Sequence, residues 1–488
     1  MVNSRASVNE NNDYPTSKLE LLMPCHHNEL TTSWSQQEFG TIHLGDKRLD
    51  ARLINVAEEL SAYPQSAINA ACGDWADTKA AYRLFDNEKV TKEKIIAPHF
   101  QRTVERMSEH RRVFAIQDTT YVDYTHHPLT EGLGPIGTKS QHIYGFVKHT
   151  TLALTESGLP LGLLTDEVWV RQETEQETPK VNKPLNEKES YKWIKALSQT
   201  KARTPQGVEV ISICDREADI YEFFVEAQDT CFVIRAVQDR VVDDETGKLR
   251  ALVKSQPCAG ALVVEVPARE GEPARQATVS VHFATTTLVP PYRPLAVQPQ
   301  KLPAIDVSVI WVTEVNPPAG AKPLEWLLIT NVQVTNFSDA IQRIRWYALR
   351  WQIEVYFKVL KSGNKIEACR LQTKERLLRY LALKSVIAWR LYWLTMYNRH
   401  MPTADCTCVL TDYEWKALYC VTHRTITLPN KLPTVSQVVV WIAKLGGFLA
   451  RKSDGDPGVT AIWRGWQRLS DISDTFSLLH TTEVTNSS

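Results

Sequence analysis

Tyr347-Ala-Leu-Arg350-Trp-Gln-Ile-Glu354-Val-Tyr-Phe-Lys358-Val-Leu-Lys361 is the stretch on which the reading of this 488-residue chain turns. At about 100° per residue, Tyr347, Arg350, Glu354, Lys358 and Lys361 project within a helical stripe roughly 80° wide. Leu349, Ile353, Tyr356, Val359 and Leu360 cover the far side. One carboxylate thus shares a face with three cations and a phenol. Between Arg343 and Arg379 ten Lys/Arg oppose three acids, a local charge of +7. Phosphate suits such a field. An ordinary i,i+4 pair of Glu354 with Lys358 on a solvated face would leave the same pattern.

Working outward, two apolar strands are expected to end on aspartates. Val113-Phe-Ala-Ile116 runs to Asp118-Thr-Thr, and Val208 to Cys214 runs to Asp215. A carboxylate at the C-terminal end of a buried strand stands where α/β sheets place ligands. Singly, each aspartate could equally be a turn residue or a helix N-cap. If the strands are neighbours, Asp118, Asp215 and Glu354 share one cleft. Three hard oxygen donors there suit Mg²⁺, and two such ions can clamp the attacking and leaving oxygens of a phosphodiester.

The rest of the chain divides by texture. Residues 1–30 are polar and read as a disordered leader. Residues 31–110 read as a helical domain, with Leu44 to Leu60, Ala67 to Phe85 and Thr91 to His110 at helical spacing and Gly45-Asp46 as a start signal. Residues 111–398 read as an α/β domain, with further strands at Tyr144 to Leu154, Leu161 to Val170 and Trp326 to Thr330. Asp166 to Glu189 carries seven acids against four bases and is expected to be a solvated loop. Eleven of the 25 prolines fall between Pro257 and Pro323, so 236–325 reads as a β-rich insertion. Residues 399–488 are mixed, then helical.

Fifty-six basic residues balance 56 acidic ones, which excludes a uniformly basic coat but not a local nucleic-acid patch. Nine scattered cysteines and a start without an apolar signal core point to a reducing cytoplasm. Tyr380 to Tyr397 is interrupted by Lys384 and Arg390, so a buried amphipathic helix is expected rather than a membrane span.

Tyr347-x2-Arg350-x3-Glu354-x6-Lys361 resembles the YREK signature of bacterial DDE transposases of insertion-sequence family four. The resemblance runs nearly end to end: Leu44-Gly-Asp-Lys-Arg-Leu-Asp-Ala-Arg-Leu53, Asp118-Thr-Thr, Cys214-Asp-Arg-Glu-Ala-Asp-Ile220, Trp326-Leu-Leu-Ile-Thr330, and Gly446-Gly-Phe-Leu with Trp463-x2-Trp466. It implies an RNase H-like core with Asp118, Asp215 and Glu354 as a metal-binding triad for Mg²⁺, for which Mn²⁺ can substitute. It also implies DNA contacts from Tyr347, Arg350, Lys361 and Lys358. Trp326 resembles an indole that stacks on a flipped base during hairpin formation, although core packing is the ordinary fate of a lone Trp. Arg235 resembles a DNA-contacting arginine. Lys47, Arg48 and Arg52 resemble residues reading terminal inverted repeats, or form a solvated basic helix.

The implied activity is cut-and-paste transposition: strand cleavage at the element ends, a hairpin intermediate, and joining to target DNA by a homodimer in a synaptic complex. A catalytically silent end-binding repressor and a nuclease without strand transfer are the alternatives. One departure from the family is His423-Arg-Thr-Ile-Thr-Leu-Pro, where a strongly basic loop is expected. Cys406-x-Cys408 with Cys420-x2-His423 could be read as a zinc site, against which the C-x-C spacing is tighter than the usual two to four residues between paired ligands, and His149 is expected to be structural.

Overall fold

The structure is a computed structural model that describes residues 33–172, 183–266, 275–292, 301–320 and 323–485. The expected disordered leader at 1–30 lies outside the described residues, as do 173–182 of the acidic stretch and parts of the proline-rich insertion.

The chain opens with α1 (Trp34–Phe39), α2 (Lys47–Ala62), α3 (Ile68–Ala71), α4 (Trp75–Asp86) and α5 (Lys92–Met107). Asp46 caps α2 by accepting from Arg48 N at 2.8 Å. Ala67 to Phe85 does not form one helix, because Cys72 is extended and Asp74 caps a new start by accepting from Asp77 N. The α/β region follows as β1 (Arg112–Asp123), β2 (Gly134–Pro135), β3 (Tyr144–Leu154), β4 (Pro160–Trp169), α6 (Tyr191–Arg203), β5 (Glu209–Cys214), α7 (Tyr221–Glu226) and β6 (Cys231–Arg235). Next come α8 (Leu249–Ser255), β7 (Gly260–Val266), β8 (Arg275–Leu288), β9 (Ile305–Glu314) and β10 (Glu325–Thr330). The chain closes with α9 (Phe337–Ala348), α10 (Trp351–Lys358), α11 (Lys374–His400), α12 (Asp412–His423), α13 (Val435–Leu445) and α14 (Val459–Thr485).

All ten strands join one mixed sheet in the order β2-β3-β1-β5-β6-β10-β9-β8-β7, with β4 also paired to β3. β1, β5 and β6 run parallel, and the remaining pairings are antiparallel. The segment between β6 and β10 therefore extends the same sheet. Alternation sends Phe232, Ile234, Leu327 and Ile329 to one face, against α6, α7 and α8. Val233 and Leu328 point to the other, into the core shared with the N- and C-terminal helices.

Two expectations change here. Asp166 is not in a solvated loop: Asp166–Trp169 belong to β4, and the buried Asp166 carboxylate takes the ammonium of buried Lys148 and the Thr150 hydroxyl. Counting acids misled because a buried cation on β3 neutralises this one. The second concerns α11, which is buried around nearly its whole circumference rather than on one face. Terminal helices cover it on the sides away from the sheet, and its cations are received inside. Arg390 donates to Ser61 Oγ at 3.1 Å and lies over the Trp34 and Trp466 rings.

Lys384 donates to the carbonyls of Pro64 and Leu60 at 3.0 and 3.3 Å, just past the last turn of α2. Burial depresses its ammonium to about 7. The unfolded chain therefore holds a proton that the folded chain releases between pH 7 and the ordinary lysine value of 10.5. Stability should rise with pH across that window, at most about 1.4 kcal/mol per unit. Chemical denaturation of wild type and Lys384→Met at several pH values checks this, since the difference between the two curves should carry the slope.

In the C-terminal region α13 crosses α14 so closely that a Cβ on Gly465 would stand 1.7 Å from the Ile442 carbonyl oxygen, and one on Gly446 1.9 Å from that of Ala461. Only glycine allows this approach. The described cysteines are all free thiols. No helix among the described residues is long and apolar enough to cross a membrane.

Candidate active site

Asp118 is not strand-terminal, contrary to the apolar pattern. β1 continues to Asp123 because its antiparallel partner β3 keeps pairing, from Asp118 opposite Thr150 to Asp123 opposite Gly145. The parallel partner β5 stops sooner, its last pair being Gln117 with Cys214. Asp118 and Asp215 are thus the next residues on adjacent strands, at the edge where the parallel ladder opens. Asp215 makes no side-chain cap to the short turn at Arg216–Ala218, so it is not spent as an N-cap. The second aspartate of that motif is structural: Asp219 accepts from Val237 N and Gln238 N at 2.7 Å and pairs with Arg240.

Glu354 arrives on α10. Arg350, at the junction of α9 and α10, bridges the triad: its guanidinium donates to Asp118 Oδ2 at 3.1 Å and to Glu354 Oε1. Glu354 therefore pairs one turn back to Arg350, while Lys358 stays exposed. Thr119 N also donates to Asp118 Oδ1, at 2.7 Å. Burial pushes the Asp118 carboxyl up to about 6; Arg350 and Thr119 pull it down, and Asp215 and Glu354 repel it. Arg350 thus joins Asp118 to Glu354, while the adjacent strands bring Asp215 next to Asp118. Behind Asp215, the Cys214 thiol is held well above its usual range by burial and by both aspartates.

Among the described residues no group of three or more His, Cys, Asp or Glu side chains, this triad included, is placed closely enough to hold a metal ion. The donor set nonetheless suits a hard divalent cation: it consists of carboxylate oxygens, and two of them already share the positive charge of Arg350.

The single straight stripe expected from sequence is modified at both ends. Leu349 N, Arg350 N, Gln352 N and Ile353 N bond three residues back, which tightens the joint between the helices. After Lys358 the helix widens to a π turn over Val359–Gly363, closed by Asn364 N to Val359 O at 2.9 Å. A 100° projection fails through either irregularity. Lys361 lies in the π turn, 3.1 Å from Glu367, and Tyr347 is buried. Burial lifts the Tyr347 phenol to about 12, which Arg350 and Arg235 partly oppose.

Trp326, half-buried on β10, meets Tyr347 edge-to-face at 6.0 Å between ring centres. Arg235, on the neighbouring β6, donates to Glu325 O at 3.2 Å. Trp326, Tyr347, Arg350 and Glu354 therefore form a contiguous path. Lys47 and Arg48 are exposed at the start of α2, and Arg52 is half-buried one turn on. His149 is buried, between Thr119 Oγ1 at 2.9 Å and Gln117 Oε1 at 3.4 Å, and burial and Lys192 depress it to about 3. It is a neutral core histidine. His423 stacks on Tyr419 and reaches the Tyr419 carbonyl at 3.0 Å, in an aromatic cluster with Trp441.

Sequence reading missed Glu367 and Asp123, which meet beside Lys361: Asp123 N donates to Glu367 Oε1 at 3.0 Å. The only signal was that Glu367 is one of three acids in a strongly basic stretch.

Residues 31–90 match the family profile described as transposase DNA-binding, which spans α1 to α4. Residues 386–477 match the profile described as the transposase Tn5 dimerisation domain, beginning inside α11 and reaching into α14. The part of the chain that carries Asp118, Asp215 and Glu354 therefore lies in sequence between a transposase DNA-binding segment and a Tn5 transposase dimerisation segment, and the two together support a DNA-binding, dimerising transposase.

Proposed function

We propose that the chain is a DDE transposase of the insertion-sequence family-four type, similar to the transposase of the kanamycin-resistance composite transposon. It binds terminal inverted repeats, cleaves the element ends through a hairpin intermediate, and joins them to target DNA as a homodimer in a synaptic complex in the cytoplasm. The observation that carries this reading is the placing of Asp118 and Asp215 at the opened edge of the parallel ladder, with Glu354 linked to Asp118 through Arg350, between the two matched segments. The mixed sheet with helices on both faces supports an RNase H-like catalytic domain over 111–398. In this reading residues 31–110 bind the ends, through Lys47, Arg48 and Arg52, and 399–488 serve synapsis.

Asp118, Asp215 and Glu354 would hold Mg²⁺, or Mn²⁺ in its place, which supplies Lewis-acid polarisation of a phosphodiester oxygen. The chain's own groups do the rest. Arg350, Lys358, Lys361 and Arg235 neutralise phosphate and fix the register of the DNA end. Trp326, backed by Tyr347, offers a half-buried apolar surface to an extruded base.

A labelled duplex carrying the repeats that flank the gene tests the reading. Mg²⁺-dependent formation of a hairpinned end is the expected result, and a nick that never progresses sinks the hairpin mechanism. Trp326→Ala should spare the first nick and slow hairpin formation about 10–100-fold, the worth of one base–aromatic stack. Denaturing gels that separate nicked from hairpinned strands read both steps.

A further inference from the structure

Lys361 cannot inherit its direction from the helix that carries Glu354, because it sits in the π turn after that helix has widened. Its ammonium is instead held by Glu367 Oε1 at 3.1 Å. Glu367 is itself fixed independently of the lysine. The same oxygen accepts Asp123 N from the end of β1 at 3.0 Å, and the Glu367 carbonyl accepts from His127 Nε2 at 2.8 Å. One residue earlier, the buried Tyr124 hydroxyl donates to Ile366 O at 2.8 Å. Both side chains of the pair are about one-third exposed, so as a contribution to stability the ion pair is minor. Its geometry matters more, because it ties the lysine to the strand that bears Asp118.

We propose that Glu367 is a positioning residue for strand cleavage. It stations the Lys361 ammonium past the end of the helix that bears Glu354 and against the strand that bears Asp118, where that ammonium meets a phosphate of the DNA end. The inference rests on the transposase reading above. Misplacing a contact by about 1 Å is enough to slow a reaction whose geometry is pre-set, even when binding is unchanged.

Two measurements on the full-length chain test it, with Glu367→Gln as the main variant because its amide oxygen still accepts Asp123 N. In DNA-free protein, acylation by N-hydroxysuccinimidyl acetate is read by mass spectrometry. Lys361 should react about threefold faster in Glu367→Gln, because its nitrogen is released from the 3.1 Å contact that holds it against Glu367, with exposed Lys358 as an unchanged internal control. Equal rates at Lys361 in both proteins overturn the proposal whatever the enzyme does. The second measurement is cleavage of paired ends. Glu367→Gln should lose about tenfold in rate, with end affinity within about twofold of wild type and an unchanged melting temperature. Adding the change to Lys361→Gln should cost nothing more. Losses that multiply in the double variant overturn the proposal, since Glu367 would then act without Lys361. A wild type that never cleaves, yet shows the expected acylation, removes the transposase reading and this role with it.

Discussion

Glu354→Gln is expected to bind end DNA as wild type does and to lose strand cleavage by about 10³-fold or more, the cost of removing a ligand from a metal-dependent phosphoryl site. Asp118→Asn should fail equally, and it should also make the DNA-free protein more stable. The folded Asp118 carboxyl titrates near 6, against an ordinary value of 3.8. A raised acid penalises the folded state as it ionises, so the penalty grows as pH rises through that window and is complete above about 6. An amide carries no such penalty. Melting curves of wild type and Asp118→Asn should therefore nearly coincide toward pH 4, separate as pH rises to 6, and keep that separation above it. Equal curves at pH 7.5, or a variant that still cuts, would count against the site. Loss of function with gain of stability is what a functional carboxylate held in a buried site should give.

The second large effect lies far from the carboxylates. Glu38 on α1 and Arg106 on α5 form a buried bidentate pair, with both N–O distances 3.0 Å, and Arg106 also donates to Leu161 O and lies over the Trp389 ring. His99 completes the group. Leu163 N donates to His99 Nε2 at 2.9 Å, so the ring is neutral and its Nδ1–H serves Glu38, consistent with burial depressing its pKa. Burial alone would raise Glu38, yet Arg106 and His99 hold it down at about 2. Arg106→Met strands that carboxylate without its cation and should cost about 3–5 kcal/mol, measured by denaturant unfolding. The pair's contribution is complete above pH 4.5 and fades as acid titrates Glu38 toward 2. A loss below about 1 kcal/mol would mean that the group repacks or stays wet.

Periodicity made the elements legible but not their joints. The strands at Tyr144–Leu154 and Trp326–Thr330 and the helix opening at Asp46 could be read from alternation and capping alone. The length of β1 could not, because it depends on β3 outlasting β5 as a partner, which is a property of pairing rather than of either segment. Asp166 looked solvated because its cation, Lys148, is remote in sequence and buried. At the site, the residues of the stripe were nameable from spacing, whereas their connections were not. A tightened joint and a π turn replace the regular helix, so Arg350 reaches Asp118 and Lys361 turns to Glu367. Helical projection assumes 3.6 residues per turn, and it fails where the chain departs from that.

The continuity of the sheet also sets the order of events while the chain is being made. β6 is central, and its β10 neighbour arrives only after three further strands have been synthesised: the Thr330 hydroxyl that closes onto the Phe232 carbonyl lies 98 positions downstream. At ribosomal speeds of about 5–20 residues per second, the open edge of β6 waits roughly 5–20 s for its partner. During that interval a parallel, apolar ladder is exposed next to Asp215, and α9, which packs against β5 and β6, has not yet emerged. The nascent chain is therefore most vulnerable to aggregation and to chaperone capture midway through translation, well after the N-terminal helices can fold.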